Sequence, residues 1–346
     1  MKFTLTLFSF VLFLSASAQT PIKAELVNSE MIFQDPPFEN CHASSIEELT
    51  KGRFMATWFA GPFESSPLVT IWTSILEKGK WSKPKQVADG ILNDTLRYAC
   101  WNPVLFRAAS GRLFLFYKVG SSPRTWWGMM KYSDNDGNSW SKAERLPGNI
   151  LGPIKNKPVQ LKDGSILHPS STESLDEKTW NIHLEISDSA CKNWKYIPIN
   201  CDSFGVIQPS ILSYPDGRLQ MVCRSRQNVI VDTWSNDHGR TWSPLHKLPL
   251  PNPNAGSDAV TLSNGWQLLV YNPALAGKEW YHGRNKLVVA ISKNGMEWSD
   301  LITLEDHPKG EFSYPAVIEG PGGLVHITYT YDRKNIKYVE LKITGQ

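Results

Sequence analysis

Long apolar runs are almost missing from this chain of 346 residues; the one that stands out is Leu5–Leu14, too short to cross a bilayer, which takes about 20 residues. Cysteine is scarce. The five residues Cys41, Cys100, Cys191, Cys201 and Cys223 are too few for a disulfide scaffold, leave at least one thiol unpaired, and show no zinc-type spacing. Charge of one sign is missing too: 36 Lys and Arg face 33 Asp and Glu, for a net charge of +3. Such a balance provides no electrostatic footprint for nucleic acid. Helical periodicity is also lacking. Aromatic residues are not, with 14 Trp among them, so the chain has the means to bury a core.

The N-terminus reads as an export signal. Lys2, the run Leu5–Leu14 and the Ala16-Ser17-Ala18 end match a cleavable secretory leader over residues 1–18. The mature chain, residues 19–346, is expected in the periplasm or outside the cell as a single domain.

What the sequence has instead of helices is a repeat. Six segments each join a small or polar start, an alternating apolar run, a glycine turn and a second apolar run. Their turn glycines, Gly52, Gly111, Gly164, Gly217, Gly265 and Gly323, lie 59, 53, 53, 48 and 58 positions apart. Period-2 runs broken at Asp-Gly or Ser-Gly are β-hairpins. A second motif follows most of them. Ser133-Asp134-Asn135-Asp136-Gly137-Asn138-Ser139-Trp140 and Ser235-Asn236-Asp237-His238-Gly239-Arg240-Thr241-Trp242 are near copies, and Ser292–Trp298 and Ser187–Trp194 are degenerate ones. Here a polar side chain and a glycine close a turn under which the Trp packs. Six such units predict an all-β, six-bladed propeller of four-stranded antiparallel blades. The last unit is one strand short, and Ala24–Phe33 is expected to supply it and close the ring.

On these Ser-x-Asp-x-Gly-x-x-Trp copies the chain resembles the sialidase-like superfamily of propellers with Asp-box (BNR) repeats. Members of that superfamily include sialidases, other glycosidases, polysaccharide lyases and binders, so the resemblance implies the fold more firmly than the reaction.

In a propeller the starts of the inner strands and the ends of the strands paired to them converge on one rim. The starts present His42, Asn102, Lys155, Lys157, Gln208, Asp258 and Tyr314; the returning strands present Glu64, Lys118, His168, Glu173, Arg224, Arg226, Tyr271, Asn272 and Arg333. Structural positions of a repeat should look alike, and these do not, which marks a site. Arg224 and Arg226 lie on one side of a strand and suit a carboxylate. Trp126 and Trp127 offer a stacking surface for a sugar.

The resemblance implies more about this rim. Sialidases open the first inner strand with a Tyr-Arg-Ile-Pro-like motif whose Arg begins a triad that grips the substrate carboxylate; here Cys41-His42-Ala43-Ser44 puts His42 in its place. They also use a Tyr nucleophile, supported by a Glu, with an Asp as acid. Tyr314 holds the Tyr position, and the loop from Gly61 to Pro67 offers only Glu64 as an acid. His and Tyr beside paired arginines suit β-elimination from a uronic acid, so the expected activity is that of a lyase or oligosaccharide dehydratase of the ulvan-processing type on acidic oligosaccharides. His42 and Tyr314 are the expected proton-transfer groups, with His168 and Tyr271 second. Arg224, Arg226, Asn102, Gln208, Lys157, Asp258 and Arg333 are the expected substrate contacts. A sialidase-like exo-glycosidase is the alternative, and a non-catalytic glycan-binding propeller the second alternative. No cofactor or metal is called for, and the chain is expected to act as a monomer without a membrane span or nucleic acid.

Overall fold

The computed structural model describes residues 22–50 and 52–345; the expected leader, residues 1–18, lies outside them. Within them the only helical turn is a 3-10 turn at Pro321–Gly323. Alternation of apolar and polar residues, with Gly and Asp turns between, gives strands everywhere else.

The strands form six antiparallel blades. From the axis outward, blade 1 runs Asn40–Glu48, Phe54–Gly61, Thr70–Glu77, and an outer edge split into Lys80–Trp81 and Lys85–Ala88. Blade 2 runs Ala99–Arg107, Leu113–Gly120, Trp127–Ser133 and Glu144–Arg145. Blade 3 has Val159–Gln160, Ile166–Glu173, Trp180–Ser187 and Trp194–Pro198, and blade 4 has Val206–Ser213, Leu219–Ser225, Val229–Ser235 and His246–Pro251. Blade 5 consists of Asp258–Thr261, Gln267–Tyr271, Lys286–Ser292 and Ser299–Asp306. Blade 6 takes Phe312–Glu319, Leu324–Tyr331 and Asn335–Thr344 from the C-terminus and its outer strand, Lys23–Met31, from the N-terminus. That strand pairs Lys23 with Thr344 and Met31 with Lys337, so the two ends of the described chain zip the ring shut.

The core lies between blades. Phe59, Trp101, Leu115 and Tyr117 pack between blades 1 and 2, and Leu268, Val289, Val317 and Tyr329 between blades 5 and 6. All five cysteines are buried and unpaired. At the end of the ring away from the inner-strand starts, the Asp-box turns repeat one geometry. Ser235 Oγ donates to Asp237 and accepts from the Gly239 amide, and Trp242 Nε1 returns to the Gly239 carbonyl. Ser292, Asn294, Gly295 and Trp298 reproduce it. Gly239 sits at φ +83°, and a Cβ there would lie 2.7 Å from a Leu184 methyl of the neighbouring blade. Glycine is demanded both by the backbone and by the close approach.

Candidate active site

Four inner strands carry a bulge at the funnel end. The pairing register breaks between His42 and Ser45, Trp101 and Val104, Ile207 and Ser210, and Ser313 and Ala316. Ala43, Asn102, Gln208 and Tyr314 stand in these bulges at positive φ. A bulge bends the strand and re-aims a side chain, here toward the axis. The structure therefore corrects one alignment: Ala43, not His42, is in register with Asn102, Gln208 and Tyr314.

Tyr314 is the centre of the cluster. Its hydroxyl accepts a hydrogen bond from Arg224 Nη1 at 3.0 Å and faces Gln208 Nε2 at 3.4 Å. The His42 ring packs on it at 4.2 Å between centroids, and the guanidiniums of Arg224 and Arg284 face its ring at 5.5 and 6.0 Å. Arg224 and Arg284 are both buried, yet the Nε of each has no partner. Buried donors are normally satisfied, so two vacant guanidinium edges beside one phenol ask for an anion. Above them the exposed Trp280 faces Arg284 at 5.0 Å and Arg333 at 4.9 Å.

Carboxylates hold this cationic group in place. Glu311 accepts from Arg284 Nη1 at 3.0 Å, Arg333 Nε at 2.8 Å and Ser313 Oγ at 2.9 Å. Burial works to raise its carboxyl, but Arg333 and Arg284 outweigh that and hold it below the usual carboxylate range. Arg333 also pairs with Glu64 at 2.5 Å. Below the cluster, Lys155 donates to Asn156 Oδ1, Ser257 O and Pro315 O. Burial brings its amine down to about 7, with Lys157 and Arg224 adding to the fall and Asp258 opposing it.

Several of the expected substrate contacts are framework. Asp258 accepts from Lys157 at 2.8 Å, from Ser210 at 2.9 Å and from the Val317 amide at 2.9 Å, tying blades 4 and 6 and the segment leading into blade 3 to blade 5. Lys157 and Asp258 thus hold each other and the axis. Arg226 stacks on Trp180 at 4.0 Å and donates to the carbonyls of Lys178 and Glu177, which keeps it on the outer rim. Asn102 stands in its bulge in blade 2, and Asn272 ties its own loop to Lys286 O and Phe312 O.

The expected proton-transfer groups divide in the same way. His168 is fully buried, bonds Ser187 Oγ at 2.8 Å and packs between Phe116 and Trp194; it is a core residue of blade 3. Tyr271 reaches outward to Asp300 on the edge strand of blade 5, away from the axis. His42 is in the cluster, but its Nδ1 meets Thr330 Oγ1 at 2.9 Å and its Nε2 meets Arg333 Nη2 at 3.4 Å. Burial, then Arg333, Arg284, Lys155 and Arg224, push it well below the ordinary histidine range. A neutral ring satisfies both neighbours by donating from Nδ1 and accepting at Nε2, and no lone pair is left to take a substrate proton. Lys118 is buried on the Pro153 carbonyl.

Sequence reasoning missed Arg284, Glu311, Trp180 and Trp280. Arg284 and Trp280 lie in the long loop after Gln267–Tyr271, and their signal was only an aromatic-rich insertion, Trp280-Tyr281-His282-Gly283-Arg284, where the other blades turn more tightly. Glu311 precedes the last inner strand by one residue, a position with no repeat signature.

Comparison with known proteins agrees with the ring and bears on its chemistry. The family described as BNR repeat-like domain matches residues 52–327. An anhydrosialidase from the leech Macrobdella decora is 28% identical over 240 residues, which is 62% of this chain but 31% of that protein. This chain therefore corresponds to under a third of that relative. Among solved structures, a protein of unknown function from Dyadobacter fermentans superposes with a TM-score of 0.77 at 16% identity, covering 93% of this chain and 99% of its own. The intramolecular trans-sialidase of Ruminococcus gnavus follows at 0.69 and 16%, covering 91% and 97%, and NanB sialidase of Streptococcus pneumoniae at 0.70 and 14%, covering 90% and 70%. Identities this low speak to the fold alone.

The elimination reading is overturned. The curated relative at 28% identity is an anhydrosialidase, not a lyase or dehydratase. The geometry agrees, because His42, His168 and Tyr271 offer no free base over the funnel. With the repeat family matched over most of the chain and six blades closed into a ring, this chain belongs to the BNR repeat-like domain family and has the sialidase-like six-bladed propeller fold.

Proposed function

We propose that this chain is a sialidase-like exo-glycosidase that cleaves a terminal sugar carrying a carboxylate. The observation that carries the reading is Tyr314 at the axis with Arg224 and Arg284 beside it, each with an unpartnered Nε. The two guanidiniums take the substrate carboxylate by charge-assisted hydrogen bonds and fix the anomeric carbon over the phenol. A carboxylate drawn to Arg224 competes for the donor that Tyr314 now accepts, which frees the phenol oxygen for attack. Tyr314 gives its proton to solvent in the open funnel, with the phenolate stabilised by the neighbouring guanidiniums, and its Oη then bonds the anomeric carbon as the bond to the leaving oxygen breaks.

That oxygen needs a proton, and two carboxyl groups at the mouth offer one. Glu64 is tied to Arg333. Glu173 has no hydrogen-bond partner among the described residues, and burial raises its carboxyl against the opposing pull of Arg224, Arg226 and Arg124, so it holds its proton to higher pH than an ordinary glutamate. Glu173 is the acid we assign. It also lines a cleft of about 610 Å³ between blades 2 and 3 with Trp126, Trp127 and Tyr196, where the rest of the substrate has room to lie. The proposal includes export, supported by the leader-like N-terminus.

The test is incubation of the whole protein with fluorogenic sialosides and a panel of acidic glycosides, with the released sugars identified by mass. Release of a carboxylate sugar is expected. Its mass also tells water from an internal hydroxyl as the group that resolves the tyrosyl intermediate, since the products differ by one water. No release from any member overturns the reading. One observation favours a glycan-binding propeller instead: Gln208, not a carboxylate, faces the Tyr314 hydroxyl. Tight binding of the same panel without release would establish that second reading.

A further inference from the structure

The cleft between blades 2 and 3 meets the funnel at Glu173, and one buried carboxylate fixes both of its walls. We propose that this cleft is a subsite for a second sugar that carries a sulfate or a carboxylate, with the sugar ring laid on Tyr196 and the anionic group taken by Arg145. The inference rests on the terminal-sugar reading above and adds the chemical class of the sugar that follows.

The two tryptophans expected to stack on a sugar are taken up otherwise. Trp126 packs edge-on against Trp101 at 5.9 Å, and Trp127 lies under the guanidinium of Arg145 at 4.7 Å. The free platform is Tyr196. One face of its ring is stacked on His183, with centroids 4.4 Å apart and planes at 27°. The residue is 44% exposed in the wall of the cleft, so its other face is open to a ligand. Arg145 is exposed on the outer strand of blade 2 and joins no ion pair among the described residues. The indole beneath it holds the guanidinium flat and leaves its N–H edge open, which suits an anion taken by two parallel hydrogen bonds. Arg124, the other arginine of the cleft, is already paired with Glu177. Arg145 is therefore the cation with charge to spare.

The walls are held from behind. Glu185, wholly buried in blade 3, accepts from the Leu151 amide at 2.8 Å, the Gly152 amide at 2.7 Å and the His183 ring at 2.9 Å. The first two bonds fix the loop 146–151, which forms one wall, and the third fixes the histidine on which Tyr196 rests in the other. Ser170 Oγ and Lys118 Nζ secure the end of the same loop through the Gly152 and Pro153 carbonyls. Burying a carboxylate is costly unless it is hydrogen-bonded, and all three bonds of this one go to the walls of the cleft. Its volume, about 610 Å³, falls within the range of small-molecule sites, ~300–1,000 Å³.

The test is calorimetric binding of four methyl glycosides, with thermal melting of each variant alongside. Three are disaccharides in which N-acetylneuraminic acid is joined to galactose, to galactose 6-sulfate or to galacturonic acid, thio-linked so that they resist cleavage; the fourth is galactose 6-sulfate alone. The sulfated or the uronate disaccharide should bind about 10- to 100-fold more tightly than the neutral one, the range of one charge-assisted contact. The tighter of the two names the anionic group. Arg145→Ala should remove that preference, and Arg145→Lys should restore only part of it, because an ammonium lacks the planar fork. Tyr196→Ala should weaken all three disaccharides by about 5- to 10-fold. If the neutral disaccharide binds and the wild type shows no preference, or the preference survives Arg145→Ala, the subsite is overturned and the terminal-sugar reading stands. If galactose 6-sulfate binds through Arg145 and the terminal sugar adds nothing, the subsite stands and the terminal-sugar reading has failed. No binding by any of the four overturns both. Should Arg145→Ala not fold, the lysine variant decides by the same comparison.

Discussion

The two ends of this propeller are built from opposite kinds of contact. At the Asp-box end every turn is closed by residues within a few positions of one another: Ser133 with Gly137, Ser235 with Gly239, Ser292 with Gly295. At the funnel end the bonds that matter span the chain, such as Arg224 to Tyr314, Lys155 to Pro315 and Arg333 to Glu64. The first end repeats because each turn is a local solution that works in any blade. The second differs from blade to blade because there unlike residues from different blades bond one another across the axis. Repetition marks the parts that build the ring, and its failure marks the part that uses it.

The comparison is broken most sharply at Tyr314. Tyr314→Phe should reduce sugar release by on the order of 10⁴-fold or more while leaving the melting temperature near that of the wild type, because the hydroxyl bonds the site and not the core. A variant that keeps its turnover would move the reaction to another group.

Glu311→Gln tests whether the funnel end is held by nonlocal charge. It leaves Arg284 and Arg333 without their shared carboxylate and should destabilise the protein by about 3 kcal/mol, measured by denaturant unfolding at neutral pH. The sign with pH follows from the depressed carboxyl. The folded state keeps Glu311 ionised to a lower pH than the unfolded chain does, so its contribution is complete above the ordinary glutamate value and is lost as pH falls through the folded one. The gap between wild type and Glu311→Gln should therefore close in acid. A gap that widens there would contradict the assignment.

The smallest effect is expected at the other end. Asp237→Asn should change stability by less than about 0.5 kcal/mol, because Asn135 and Asn294 already hold the equivalent turns through the same amide-accepting oxygen. Asp237→Ala should cost about 1 kcal/mol with no change in sugar binding. Thermal melts of both, read beside binding, would show whether the Asp-box end is as separate from the site as its bonds suggest.

Much of the ring was legible before any coordinates. The hairpin glycines set the blade count, the Ser-to-Trp octapeptides set the outer turns, and the short last unit called for the N-terminal strand that Lys23–Met31 supplies. The site was legible only in part. Tyr314, Arg224, Gln208 and His42 could be found because they sit at repeat positions, and the structure brings them together. His168 and Tyr271 sit at equivalent repeat positions yet face the core and the blade edge, since successive side chains of a strand point to opposite faces and the pairing register, not the residue type, sets which face each takes. Arg284 and Glu311 occupy no repeat position, so nothing periodic pointed to them.

By itself, then, the sequence determined the architecture, because alternation and turn chemistry act over a few residues and need no knowledge of distant partners. Only the tertiary structure decided which charges share the axis. A guanidinium's neighbours are chosen by ring closure, and Arg333 meets His42 across 291 positions because blade 6 is stitched to blade 1.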